Sequence, residues 1–493
     1  MLKLLACLLL SLPAALPAAE DGDAAAELCE DLSKPFFALT PDPDGGLAAA
    51  PGRRLAHPFS FKLPKPAGTY RVFVLGESAA GILGAGKDYE TILARALGKP
   101  RVEIVNAGMA AYNSSLIAPV LDEALRLEPD LLVLLSGNNE SLRRSVCPGA
   151  VPELERRMNV LRARVKSLSM PARAAEAAVS VGAHEERLRG MARAAAAAGV
   201  PLVICTLPAN LRDHAPAGSP SPETLKGLDL LGAGRHEAAL AAFGKAPAGE
   251  ALALFYSGRA LEALGRGEAA RAGYEAALEN DEDDSRCSAA RNAMLRRVAA
   301  GERACLADLE KAFSGLAAGG ITGGAQLADG VHWFGRYNGF VYGEIGAAAA
   351  RCLTGAAAGP ATAPAKADRR KEFRLLFSYA AAELYERARA GAGRREPLSE
   401  RAIVNLERLR AMDKARLRRA LLDEKNSGGE LLDSPWHANL LRDSAAWRPA
   451  MLLNAAEMYS RACDGATAAE LLGLAAAAGL PPGGAGGKKE HCR

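Results

Sequence analysis

Four short segments of the 493-residue chain hold side chains that could do covalent chemistry together. The first, VFVLGESAAG, sets Ser78 directly after an apolar run and Gly76, ahead of a stretch with helical composition. A serine at such a strand-to-helix junction exposes its hydroxyl at the carboxyl edge of a sheet, with N–H groups of the helix start turned toward any oxyanion. The same position also suits a plain helix N-cap. The second segment, VNAGMAAYNS, ends another apolar run on Gly108. The third, LSGNNE, ends a third run on Gly137, Asn138 and Asn139. The fourth, LADGVHWFGRYNG, supplies Asp329 and His332, a carboxylate and an imidazole at close spacing.

In this order and at these strand ends, the four segments resemble the blocks of the SGNH (GDSL-type) hydrolase superfamily. Ser78, Gly108, Asn139 and His332 fall on the four positions that name it. The resemblance spans about residues 69–217 and 286–352, and CTLPANLRD (205–213) is similar to the fourth-strand segment of exported members that carry tetratricopeptide repeats. It implies a serine esterase acting on an O-acyl or O-acetyl ester of a carbohydrate or lipid. In that reading Ser78 is the nucleophile and His332 the general base that later protonates the leaving alcohol. Asp329 fixes the imidazole tautomer and stabilises the imidazolium. The oxyanion hole comprises the N–H groups of Ser78 and Gly108 and the amide of Asn139. No metal or organic cofactor is required. Two positions depart from the family pattern: Glu77 and Glu140 stand where Asp is usual, each keeping a carboxylate.

Two other readings belong to different classes. An acyl-enzyme on Ser78 could be resolved by a sugar hydroxyl, which would make the protein an O-acyltransferase of cell-envelope polysaccharide. Alternatively the hydrolase fold is a retired scaffold and the helical regions bind protein partners. The intact set of Ser78, Asn139, Asp329 and His332 argues against retirement.

The elements that must hold these residues follow from the apolar pattern. TYRVFVLG (69–76), RVEIVNAG (101–108), PDLLVLLSGNNE (129–140) and GVPLVICTLPAN (199–210) are near-continuous apolar runs separated by helical patterns near 88–97, 115–127 and 153–198. Such runs predict strands buried on both faces of a parallel sheet. The expected class is α/β, a doubly wound flavodoxin-like sheet, with a short fifth strand at ACLADL (304–309) and a helix near 339–351.

Around this core the chain divides by composition. Residues 1–19, with Lys3, an apolar run and small residues at Ala18 and Ala19, read as a secretory signal peptide, so the expected location is periplasmic or extracellular. Residues 20–68 read as an extended leader, with order beginning near Thr69. The hydrolase domain occupies 69–218 and 285–353. Between its halves, 219–284 holds two similar helical patterns: Gly232 and Gly265 are 33 apart, Phe243 and Tyr274 are 31 apart, near the tetratricopeptide period. This insert is expected to protrude beside the catalytic cleft. A linker (354–370), an all-α region (371–480) without visible chemistry, in which Pro449 opens a helix, and a flexible tail (481–493) complete the chain.

Apolar residues make up 49% and charged residues 24%, which excludes wholesale disorder. The net charge of +4, with acids and bases interspersed, gives no nucleic-acid footprint and no polybasic membrane patch. No apolar run is long enough to span a membrane. The expected partners are therefore an ester substrate, polymeric carbohydrate among the candidates, and a protein docking on the helical repeats. Cys7 lies in the signal peptide, and the other eight cysteines form no CxxC, so a structural metal is not expected. Cys287 and Cys305 flank one helical stretch and are expected to pair, closing a short loop worth about 3 kcal/mol.

Overall fold

The computed structural model describes residues 34–53, 56–110, 112–140, 171–283, 285–355, 362–389, 398–432, 440 and 444–480. The expected signal peptide, the flexible tail, the start of the 153–198 helix, and Cys7, Cys29, Cys147 and Cys492 lie outside the described residues.

The described residues form a five-stranded parallel sheet built from β4 (Tyr70–Gly76), β5 (Val102–Gly108), β6 (Leu131–Leu135), β7 (Leu202–Cys205) and β8 (Cys305–Ala307), in the order β5-β4-β6-β7-β8. Each expected strand is present, the short fifth included, but β6 and β7 end at Leu135 and Cys205, short of the expected ends at 140 and 210, where the polar residues SGNNE and TLPAN begin. The reason is visible in burial: Val72 to Leu75 and Leu131 to Leu135 are inaccessible to solvent, as strands covered on both faces must be. Helices cover both faces. Lys87–Leu97 and Asn338–Thr354 pack together on one, while Ser114–Ala124, Pro171–Ala197 and Ala289–Gly301 pack on the other.

Order begins earlier than Thr69. Three short antiparallel strands, β1 (Phe37–Pro41), β2 (Leu47–Pro51) and β3 (Phe61–Leu63), occupy the stretch expected to be an extended leader. Their aromatic residues explain this. Phe37 and Phe61 meet Phe73 edge-on, which joins the small sheet to the main core.

The insert consists of two helical hairpins, Pro222–Gly232 with His236–Phe243 and Ala251–Ala263 with Gly267–Glu279. A close contact recurs between them: a Cβ on Gly227 would collide with the Phe243 ring, and one on Gly258 with the Tyr274 ring. The insert does not protrude freely. Arg212, just beyond β7, pairs with Glu262, and on the other side Tyr256 donates to Glu400 while Arg259 pairs with Glu407. It is wedged between the loop after β7 and the C-terminal helices, with Val404 buried in its core.

The C-terminal helices, among them Arg369–Arg389, Glu400–Met412, Ser444–Arg461 and Gly465–Ala477, share a second apolar core around Phe377, Leu406, Trp447 and Leu471. Pro449 lies inside the helix it was expected to open, because that helix starts at Ser444. Among the described residues no helix is long and apolar enough to cross a membrane.

The expected Cys287–Cys305 bridge does not form. Both Cys287 and Cys205 are free and buried, and Cys305 is bonded to Cys352 with Cα atoms 5.5 Å apart. Between Cys287 and Cys305 runs the helix Ala289–Gly301, whose length of about 20 Å keeps its ends too far apart for a bridge. The bond that does form ties the edge strand β8 to the helix Asn338–Thr354. It closes a span of 47 residues, worth about 4 kcal/mol in the chain-entropy account. A non-reducing peptide map should recover Cys305 linked to Cys352, with Cys205 and Cys287 alkylated only after denaturation. The Cys305→Ser/Cys352→Ser variant should unfold at lower denaturant. A linked Cys287 would contradict this pairing.

Candidate active site

Ser78 opens a single helical turn, Ser78–Gly81, at the carboxyl edge of β4, and its side chain is half-buried. Two glycines make room for that turn. Gly76 has φ of +151°, and a Cβ there would lie 2.1 Å from the Leu135 carbonyl oxygen. Gly108, paired with Gly76 across the sheet, would place a Cβ 2.3 Å from the nitrogen of Gly81. Any side chain at either position would push the serine turn off the sheet edge. Asn106 holds the turn from below, its Nδ2 donating to the carbonyl of Ala80 at 2.9 Å.

Asp329 and His332 sit at the tip of a tight hairpin in which Ala328 N donates to His332 O and Phe334 N to Gln326 O. Asp329 Oδ1 accepts from the backbone N–H groups of Val331 (2.9 Å) and His332 (2.7 Å), which folds the tip around the carboxylate. Its other oxygen, Oδ2, is 2.6 Å from His332 Nδ1, and His332 Nε2 is 2.7 Å from Ser78 Oγ. With a carboxylate on one side, Nδ1 carries the proton and Nε2 is left to accept from the serine hydroxyl.

The electrostatics suit that tautomer. Burial works to lower the His332 pKa, but the charge and hydrogen bond of Asp329 outweigh it and hold the imidazole above its ordinary value. Burial would raise Asp329, yet the His332 ring and the backbone N–H donors hold its carboxyl below the usual range. A chain of serine, imidazole and carboxylate so arranged can activate a hydroxyl toward an acyl carbon.

Beneath the site lies a sealed polar layer. Glu77 is fully buried and accepts from Asn138 N (3.1 Å), Asn138 Nδ2 (2.5 Å) and Asn139 N (3.3 Å), so it shapes the loop that presents Asn139. Burial and the neighbouring Glu140 push its pKa up to about 8, against the pull of these donors. Glu140 is held below the usual carboxylate range. Burial opposes this, and His184, Ser114 and Arg187 overcome it. Because burial takes His184 itself down to about 4, the ring is neutral near neutral pH. Stabilisation of the Glu140 carboxylate then comes from Arg187 and from Ser114 and Ser136, whose hydroxyls donate at 2.6 and 2.9 Å. Glu77 and Glu140 thus form one buried neutral acid and one buried carboxylate.

The expected oxyanion donors are not equally free. The Ser78 N–H, at the first position of its turn, has no acceptor within the helix. Asn139 Nδ2 donates to Tyr112 O at 3.0 Å, leaving one amide hydrogen uncommitted by that bond. The Gly108 N–H donates to Asn106 Oδ1 at 2.9 Å, because the asparagine two residues earlier curls back on its own strand.

Several residues around the site, some of them inside the segments quoted above, hold it in place without being among the residues the sequence singles out. Asn106 and Asn210 are buried asparagines, a type that is seldom buried without a bonding task. Asn210 Nδ2 donates to Asp329 O and its N to Gly330 O, both at 2.9 Å. Trp333 Nε1 donates to Asn338 Oδ1, and Asn338 Nδ2 donates to the carbonyls of Ile82 and Leu83, so the histidine hairpin is tied to the serine turn. Tyr379 and Arg408, from the C-terminal helices, also meet this hairpin, and no local pattern announces them.

Neither a protein-family model nor a curated protein matches this chain. Among solved structures it is similar to an acetyl xylan esterase, AlAXEase, at 14% identity over 56% of this chain and 96% of that one, with a TM-score of 0.30. It is also similar to TesA, at 16% identity over 57% of this chain and 99% of that one, with a TM-score of 0.27.

If His332 must be neutral to accept the serine proton, activity should rise with pH through an ionisation above the ordinary imidazole value. Asp329→Asn removes the charge that raises it, so the acid limb should move to lower pH while maximal turnover falls by about 10³ to 10⁴. A pH–rate profile of both proteins on an activated ester checks this. An unshifted limb in the variant would contradict the pairing.

Proposed function

We propose that this chain is a serine esterase of the SGNH type, cleaving an O-acyl or O-acetyl ester of a carbohydrate or lipid through an acyl-enzyme on Ser78. What supports the reading above all is the continuous hydrogen-bonded path from Ser78 Oγ through His332 to Asp329, with links of 2.7 and 2.6 Å. His332 takes the Ser78 proton as the oxygen attacks the acyl carbon. The tetrahedral oxyanion is met by the Ser78 N–H and the free amide hydrogen of Asn139, and by the Gly108 N–H when Asn106 releases it. His332 then protonates the leaving alcohol, and water repeats the sequence on the acyl-enzyme. The protein acts outside the cytoplasm, a reading supported by the apolar leader and by the Cys305–Cys352 bond.

The test is hydrolysis of p-nitrophenyl acetate by wild type, Ser78→Ala and Asn139→Ala, with and without a polysaccharide acceptor. Ser78→Ala should abolish turnover with little loss of stability, and Asn139→Ala should lower it by about 10² to 10³. Turnover only in the presence of acceptor would indicate acyl transfer instead. Wild-type inactivity in both arms would indicate a scaffold.

A further inference from the structure

The C-terminal helices read from sequence as a separate unit without chemistry, yet two of them reach the hairpin that carries Asp329 and His332. Arg408, on the helix Glu400–Met412, donates from Nη1 to Ala328 O at 2.9 Å and from Nη2 to Leu327 O at 2.7 Å and Gly324 O at 3.2 Å. Leu327 and Ala328 immediately precede Asp329, and Gly324 lies at the base of the hairpin. A Cβ on Gly324 would lie 2.4 Å from Arg408 Nε, so the chain there leaves space for the guanidinium. On the helix Arg369–Arg389, Tyr379 lays its ring parallel to the His332 imidazole, at 3° with centroids 6.4 Å apart, and packs against the core of the sheet domain. From the other side Asn210 bonds the backbone of Asp329 and Gly330, and Asp213 Oδ2 accepts from Gly324 N at 2.8 Å.

We propose that the C-terminal helical region is part of the catalytic unit, with Arg408 and Tyr379 as positioning residues that fix the Asp329–His332 hairpin against Ser78. A hairpin tip held only by its own short bonds would be free to pivot. Displacing His332 by about 1 Å from Ser78 costs on the order of 100-fold in rate. Arg408 removes that freedom because its rigid planar fork reaches these carbonyls from two separate nitrogens, whereas an ammonium would have to gather them at one. It remains cationic at neutral pH even though burial takes its pKa down to about 10. Tyr379, with its ring parallel to the imidazole, bounds the space on the side of His332 where the helix lies. Other contacts between these helices and the rest of the chain, such as Arg401 with Asp283 and Tyr256 with Glu400, hold the region in place.

This inference rests on the Ser78–His332–Asp329 reading, so its test needs a signal independent of turnover. In the full-length protein, the low-field proton resonance of the His332 Nδ1–H bonded to Asp329 supplies one, together with kcat and KM on p-nitrophenyl acetate. Arg408→Met should broaden or abolish the resonance and lower kcat by about 10- to 100-fold, with KM changed by less than about threefold. Arg408→Lys should recover only part of the loss, and Tyr379→Leu should lower kcat while circular dichroism stays that of the wild type. If Arg408→Met does not fold, Arg408→Lys and Tyr379→Leu decide the question by the same readings. Wild-type resonance and kcat in the folded variants would overturn the proposal. A wild type that shows the resonance, loses it in Arg408→Met, yet turns over no ester would overturn the esterase reading and leave the positioning role standing.

Discussion

Everything at this site depends on one contact, the 2.7 Å approach of His332 Nε2 to Ser78 Oγ between residues 254 positions apart in sequence. A hydrogen bond of that length tolerates only a few tenths of an ångström, so two distant backbone segments must each be fixed independently. The serine side is fixed by absence of side chains, since Gly76 and Gly108 allow the first turn to press onto the sheet edge while Asn106 grips its carbonyls. The histidine side is fixed by hydrogen bonds, from Asp329 within the hairpin, from Asn210 on one flank and from Arg408 on the other. Asn338 links the two sides directly.

The buried carboxyl groups under the site bear on the same contact. Glu77 organises the Asn138–Asn139 loop from inside by accepting from its backbone N–H groups. Two ionised carboxylates could not sit together in this layer without a large desolvation cost. The arrangement resolves this by keeping Glu77 neutral up to about pH 8 and placing the charge on Glu140, where Ser114, Ser136 and Arg187 meet it. A charge on Glu77 would raise the His332 pKa further, so ionisation of Glu77 above about pH 8 would be coupled to that of His332.

Much of the sheet was legible in the sequence because strands buried on both faces leave unbroken apolar runs, and the turns after them end in glycine or asparagine. The serine and asparagine segments stood out for the same reason, since each falls where such a run stops, while Asp329 and His332 stood out by their close spacing. Less was legible where contacts join segments far apart. Arg408 and Tyr379 lie in amphipathic helices of ordinary composition, and their approach to the hairpin depends on how whole helices dock. The Cys305–Cys352 bond was missed because sequence proximity favoured Cys287, whereas the rigid helix between Cys287 and Cys305 separates them. The early strands at 37–63 were read as an extended leader because Pro, Gly and Asp dominate there. The phenylalanines that anchor them to Phe73 are too widely spaced to show a strand period. Likewise, the Gly108 N–H looked free in sequence, and the Asn106 side chain that occupies it makes a local turn no strand pattern reveals.

The most direct test of the account is chemical trapping of the nucleophile. Wild-type protein mixed with p-nitrophenyl acetate and quenched in acid within the first turnovers should carry the mass of one acetyl group, mapped by peptide sequencing to Ser78. The adduct should be absent in Ser78→Ala and should form more slowly in Asp329→Asn. An acetyl group located on any other residue, or steady hydrolysis undiminished in Ser78→Ala, would contradict the claim that Ser78, His332 and Asp329 act together on an ester.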